Sequence, residues 1–190
     1  MKRYFSFTLV EILAVTVLVS LLAAIGFAGY GYAMNASRRA ATESLIQQIS
    51  AGLENFKIKN GYYPASSTYT KIAVTKNSDD LLDSITFGST KWTKGTNKEF
   101  NVFFKPLDQE KIKKNISSVS NQLVLVDSWG GSIYYKYPGT VNKTGFDLIA
   151  PGEDGKFCVT PADDPSTNGL NDYKDGSDWA CDDISNFMDK

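Results

Sequence analysis

From Ile12 to Met34 the chain carries no formal charge, and Glu11 is the only one between Arg3 and Arg38. As a helix this stretch measures about 34 Å, enough to cross a hydrocarbon core of about 30 Å. A secretory signal peptide would share the basic start, Met1-Lys2-Arg3, and the small pair Ala23-Ala24. Its apolar core, however, runs to only about 7–15 residues. A simple membrane anchor fits the length but leaves Glu11 unexplained. Insertion scales put an acidic residue at mid-helix at roughly 2.5–3.5 kcal/mol, so the Glu11 carboxylate needs a partner. The natural one is a positive charge on another copy of the same helix.

The chain is long enough for one globular domain behind this segment. Its net charge of −1 provides no global field to attract nucleic acid or an anionic surface. That balance hides an acidic tail: from Phe146 onward 11 acids face 3 bases, a net of −8. Such a tail points to metal or to a solvated surface. Histidine is absent, which removes the Ser/His and Cys/His dyads and histidine-ligated zinc. No GxSxG, Walker loop or HExxH string occurs either, so an anchored enzyme has no catalytic constellation to work with. Cys158 and Cys181, the only cysteines, both lie in the acidic tail. Behind an export segment they read as a disulfide, with a free buried pair as the alternative.

Helical periodicity continues beyond the apolar run. Leu45, Ile49, Leu53 and Phe56 make one apolar stripe, with Arg38, Arg39, Glu43, Gln47, Gln48 and Glu54 off it. The spacing predicts a helix to about Lys59, stopped by Asn60-Gly61. Residues 65–120 read as irregular, polar and Lys/Thr/Ser-rich. Within them Asp80–Ile85 and Gln109–Ile116 read as short helices and Asn101–Phe104 as a strand. Residues 123–150 read as antiparallel sheet, with strands at Leu123–Val126, Ser132–Tyr137 and Phe146–Ile149 separated by Trp129-Gly130-Gly131 and Pro138-Gly139. The fold class expected is α+β.

The leader Met1–Ser6, then Phe7-Thr8-Leu9-Val10-Glu11 and the apolar run, resembles the class III signal of type IV pilins and type II secretion pseudopilins. The resemblance implies a pilin fold: a long N-terminal helix packed on a small antiparallel sheet. It divides the chain into a leader (1–6), a membrane or filament-core half-helix (7–34) and a periplasmic head (35–190). It implies cleavage between Ser6 and Phe7 by a membrane aspartyl (prepilin) peptidase and methylation of the new Phe7 amine. Ser6 stands where the family usually has Gly, and Ala28 where it commonly has Pro. In the filament the Glu11 carboxylate would pair with the Phe7 amine of a neighbouring subunit. Removing one partner of a buried ion pair costs roughly 3–5 kcal/mol, which makes Glu11 a register device.

Further strings narrow the resemblance toward the major pseudopilin. Asn60-Gly61-Tyr62-Tyr63-Pro64 is similar to the turn ending that family's long helix, and Asp127-Ser128-Trp129-Gly130-Gly131 to its Asp-Pro-Trp-Gly. The Asp127 turn reads as a structural corner rather than a site. Asp147 to Gly155 and Asp183-Ile184-Ser185-Asn186 are similar to the stretches that close around one calcium ion in the family. The resemblance implies Asp154 and Asp183 as carboxylate ligands and the Pro151 carbonyl as a backbone ligand. Ala150 replaces a helping Ser.

An insertion, roughly 157–180, carries a second pattern. Asp164, Ser166, Asn168, Asp172 and Asp175 stand at positions 1, 3, 5, 9 and 12 of an EF-hand spacing, with Gly169 at 6 and the Leu170 carbonyl at 7. A polar surface loop is the alternative, since loops favour the same residues. The tail would then hold one or two calcium ions. A Cys158–Cys181 bridge would add on the order of 3 kcal/mol by the chain-entropy argument.

The function implied is a non-enzymatic structural subunit of a pseudopilus. It would wait as a single-pass protein in the bacterial inner membrane and polymerise with copies of itself and with minor pseudopilins on an assembly platform. A type IV or competence pilin is the alternative within the family. A calcium-dependent binding module on a membrane stalk is the alternative outside it.

Overall fold

The computed structural model describes residues 8–78, 82–94, 112–155, 157 and 183–186, with side chains for all but 25–28. The chain divides into two units, Met1–Ser37 and Arg38–Lys190. A single helix, α1 (Leu9–Asn60), begins in the first and continues into the second.

In the first unit the aliphatic side chains from Leu9 to Leu22 are all exposed. The helix is long and apolar enough to cross a membrane. Its two mid-span hydroxyls are satisfied internally: Thr16 Oγ1 donates to Leu13 O at 2.9 Å, and Ser20 Oγ donates to Thr16 O at 2.7 Å. An apolar solvent demands this, because it offers no partner to an unmatched polar group.

In the second unit α1 becomes one-sided. Leu45, Ile49, Leu53 and Phe56 are buried, as the stripe predicts, with Ile46 beside them, while Gln47, Glu54 and Ile58 face outward. The helix stops at Asn60 because Gly61 takes φ +84°, a left-handed turn favoured by glycine, and its N–H donates to Lys57 O at 2.7 Å.

Among the described residues nine strands follow: β1 (Ser66–Lys71), β2 (Ala73–Lys76), β3 (Leu82–Phe87), β4 (Thr90–Thr93), β5 (Ile116–Val119), β6 (Gln122–Leu125), β7 (Tyr134–Tyr137), β8 (Asp147–Ala150) and β9 (Ile184–Ser185). They form two sheets of order β1-β7-β8-β9 and β4-β3-β2-β6-β5, with every strand pairing antiparallel. The class is α+β, with two sheets rather than the expected one.

The sheets meet at Ile72, the single residue between β1 and β2. Its N–H donates to Ile133 O at 3.1 Å, Leu125 N–H donates to its carbonyl at 2.9 Å, and Ile133 N–H donates to Leu125 O at 3.0 Å. The core under this seam joins α1 to both sheets. Phe56 meets Trp92 of β4 at 4.5 Å between ring centroids, and Phe87 of β3 meets Tyr135 of β7 at 5.0 Å.

Several expectations are overturned. The described residues of 65–120 are not irregular: β1 to β5 lie among them. The expected helix at Asp80–Ile85 is replaced by β3, whose residues from Leu82 on are extended. Leu82, Ser84, Ile85 and Phe87 are buried there, and Ser84 Oγ and Thr75 Oγ1 share a hydrogen bond of 2.7 Å. Buried serine breaks the apolar alternation that marks a strand in sequence. Of the helix expected at Gln109–Ile116, residues 109–111 lie outside the described residues, 112 and 113 are helical as expected, and 114–115 form a turn, with Asn115 N–H donating to Ile112 O at 2.8 Å, before β5 begins at Ile116. Asn101–Phe104 lies outside the described residues. The three strands expected in one sheet at 123–150 are split: β6 belongs to the five-stranded sheet, and the bridge Val126↔Ser132 and the Ile133–Leu125 bond lead from it toward β7.

Candidate functional site

At the start of α1, Thr8 and Glu11 form a capping box. Thr8 N–H and Thr8 Oγ1 each donate to Glu11 Oε2 at 2.8 Å, and Glu11 N–H donates back to Thr8 Oγ1 at 3.2 Å. Two of the orphan N–H groups of the first helical turn are thereby satisfied. Thr8, three residues away, thus gives the Glu11 carboxylate hydrogen-bond donors within the same chain but no positive charge to balance it. The signal was in the sequence as Thr-x-x-Glu before an apolar run. Any pairing with a neighbour's amine must therefore compete with a local arrangement. Ser6 and Phe7 lie outside the described residues.

The tail strings converge on a second place, in the Arg38–Lys190 unit. Asp127, 2% exposed, is its organiser. Asp127 Oδ1 accepts from Trp129 N–H at 2.9 Å and Gly131 N–H at 2.7 Å, and Oδ2 accepts from Gly152 N–H at 3.1 Å. Burial pushes the Asp127 carboxyl above its ordinary value, and these backbone donors pull the other way. One carboxylate thus ties the 128–131 turn to the loop that follows β8. A methyl on Gly131 would lie 2.3 Å from Pro151 Cγ, so only glycine lets the two segments approach this closely. The turn is pinned to α1 from its other side, where Ser128 N–H donates to Thr42 Oγ1 at 3.1 Å and Thr42 Oγ1 donates to Ser128 Oγ at 3.0 Å.

The pairing of β8 with β9 sets the rest. Ala150 pairs with Ile184, so in the same antiparallel register Pro151 falls opposite Asp183. Pro151 and Asp183 are buried, whereas Asp154 is exposed in the turn at 152–155. The register thus sets two of the three expected calcium donors opposite one another, with Asp154 three residues past Pro151 in the exposed turn. All three offer hard oxygens, the donor type calcium takes, but calcium needs six to eight of them. Among the described residues no group of three or more acidic, cysteine or histidine side chains is placed to hold a metal. Asp164, Ser166, Asn168, Leu170, Asp172, Asp175, Cys158 and Cys181 lie outside the described residues.

Asn186 and Asp147 do work that sequence reasoning did not assign. Asn186 Oδ1 accepts from Leu148 N–H at 2.8 Å, its Nδ2 donates to Phe146 O at 2.9 Å, and its backbone N–H donates to Leu148 O at 3.2 Å. The side chain extends β9 along β8 by acting as a strand residue would. Buried Asp147 accepts from Tyr69 Oη at 2.7 Å and from the N–H groups of Thr140, Val141 and Asn142 at 2.6, 3.0 and 3.0 Å. It fixes the β7–β8 loop as Asp127 fixes the corner. Lys136, over the Tyr69 ring at 5.0 Å, is held below its ordinary value by desolvation, against the pull of Asp147.

No family model matches the chain, and neither a curated protein nor a solved structure matches it.

Proposed function

We propose that this chain is a structural subunit of a pilin-like filament, nearest in kind to the major pseudopilin of type II secretion. It would be held in the bacterial inner membrane with its head in the periplasm until it polymerises. The observation that carries the reading is α1: one uninterrupted helix, Leu9–Asn60, apolar and unburied where it begins, one-sided where it enters the head, with Glu11 in its first turn. An element of this kind can be stored in lipid and later buried among identical helices, while the head keeps its own core. The subunit carries out no reaction in this reading. Its partners are copies of itself, minor pseudopilins, the prepilin peptidase that cuts before Phe7, and an assembly platform.

Glu11→Gln tests the reading cleanly, because glutamine also completes a capping box. The variant should insert into membranes as the parent does and fail to form filaments when co-expressed with the assembly machinery. Normal filaments would refute the proposal.

The tail in this reading binds calcium through the Pro151 carbonyl, Asp183 and Asp154, completed by further oxygens. The ion would neutralise the acidic tail and hold the 152–155 turn against β9. A thermal melt of the detergent-solubilised chain in millimolar calcium should lie several degrees above one in chelator, since a ligand at 100 times its Kd adds about 2.7 kcal/mol. Superimposable melts would remove calcium from the proposal.

A further inference from the structure

The first unit of the chain carries a boundary that its apolar composition does not explain. Tyr30 and Tyr32 are 66% and 82% exposed. Neither phenol has a hydrogen-bond partner among the described residues, in contrast to Thr16 and Ser20 lower in the helix, whose hydroxyls are turned back onto carbonyls of α1. The two rings project about 200° apart around the helix axis, because each residue turns it by about 100°. One docked protein surface could cover one of them but not both. An environment that encircles the helix can receive both. Gly29 and Gly31, with nothing within 4 Å of an added Cβ, leave the helix thin before and between the rings.

Distance along the axis identifies that environment. Tyr30 lies 21 residues beyond Leu9, or about 31 Å, which matches a hydrocarbon thickness of about 30 Å. Tyrosine is enriched where hydrocarbon gives way to headgroups, because its ring is apolar and its hydroxyl needs a polar partner. We infer that Tyr30 and Tyr32 form an anchoring ring at the lipid–water interface on the head side of the membrane, their phenols bonded to lipid esters, phosphates or interfacial water. This rests on reading the first part of α1 as membrane-spanning.

The ring has a consequence for Glu11. That residue lies 19 positions before Tyr30, about 28 Å along the axis. With the tyrosines fixed at one interface, the capped carboxylate is held close to the opposite one, at the edge of the hydrocarbon rather than at its centre. Tyr30 and Tyr32 are thus positioning residues for Glu11, setting its depth from the far side of the bilayer.

The test uses the full chain reconstituted in phosphatidylcholine vesicles, with single substitutions Val19→Trp, Tyr30→Trp and Tyr32→Trp read against the parent's own tryptophan emission. Lipids brominated near the glycerol end or near the chain terminus report depth by quenching. The expected result is that the probe at 19 is quenched more strongly by terminal bromines. The probes at 30 and 32 should be quenched about twofold more strongly by bromines near the glycerol, with emission typical of an interface. In a Val19→Trp chain, adding Tyr30→Leu and Tyr32→Leu should shift the depth profile of the probe at 19. Deep quenching at 30 and 32, or an unmoved profile after both leucines are introduced, overturns the anchor while leaving the spanning reading intact. Absence of quenching at 19 overturns both.

Discussion

Replacing Asp127 by asparagine changes one atom and should loosen the corner of the head. The carboxylate accepts three backbone N–H groups, two through Oδ1 and one, from Gly152, through Oδ2. Asparagine can keep the first two but then presents an amide NH2 to the Gly152 N–H, donor against donor. Gly152 is buried, so its N–H loses its acceptor without gaining water, at about 1–3 kcal/mol. The two surviving bonds fall from charge-assisted to neutral strength, costing about 1 kcal/mol each. Relief from burying a charge offsets part of this. The net expectation is a loss of about 2–4 kcal/mol. For a unit running from Arg38 to Lys190, each kcal/mol shifts Tm by about 2–4 °C. A melt of the detergent-solubilised chain, followed by tryptophan fluorescence, should therefore fall by about 5–15 °C. Hydrogen exchange at Gly152 should accelerate more than at Trp129. A variant melting within about 2 °C of the parent, or one in which Trp129 opens first, would refute the assignment of Asp127 as the clamp between turn and loop.

Tyr135 Oη donates to Pro64 O at 2.7 Å in a fully buried site, and burial, followed by the neighbouring Tyr137 and Tyr63 phenols, raises it above its ordinary value near 10. The unfolded chain therefore loses this proton first. Its contribution is fully present below pH 10 and declines above it, by up to about 1.4 kcal/mol per pH unit. Urea titrations from neutral to alkaline pH should give Tyr135→Phe a shallower alkaline decline from a starting stability about 1–3 kcal/mol lower; parallel profiles would contradict the linkage. Asn186→Ala removes both side-chain bonds to β8 and should open the edge locally, raising exchange at Leu148 by about tenfold per 1.4 kcal/mol lost, with little change in global Tm. Unaltered exchange there would remove Asn186 as a structural clasp.

Local rules made α1 legible, because its stripe, its Asn-Gly stop and its apolar run each depend on residues close in sequence. The Thr8–Glu11 box is equally local, a Thr-x-x-Glu string directly before an apolar run. The strands of 65–120 were hidden. β1 is Ser-Ser-Thr-Tyr-Thr-Lys, and β3 buries a serine, so neither shows an apolar alternation. The β5–β6 hairpin turns on Ser120 and Asn121, at φ +50° and +64°, without the glycine that usually announces a left-handed pair. Assigning β6 to its sheet was out of reach, since it depends on Ala73, some fifty residues earlier. Asp127 was legible as a corner, but its grip on Gly152 depends on a contact 25 residues away.

The bond from Leu125 N–H to Ile72 O marks where a detour in the chain begins and ends. Strands β2 to β6 between these two residues leave the four-stranded sheet, and β6 returns to a point one hydrogen bond from the departure. Topologically these strands are a cassette with adjacent ends. A lengthened or exchanged cassette need not alter the path of β1, β7, β8 or β9, provided it still offers Phe56 an aromatic such as Trp92 to lie against. Surface identity could thus be rewritten in one graft at Ile72, while the parts that clasp the tail and carry the long helix stay in register.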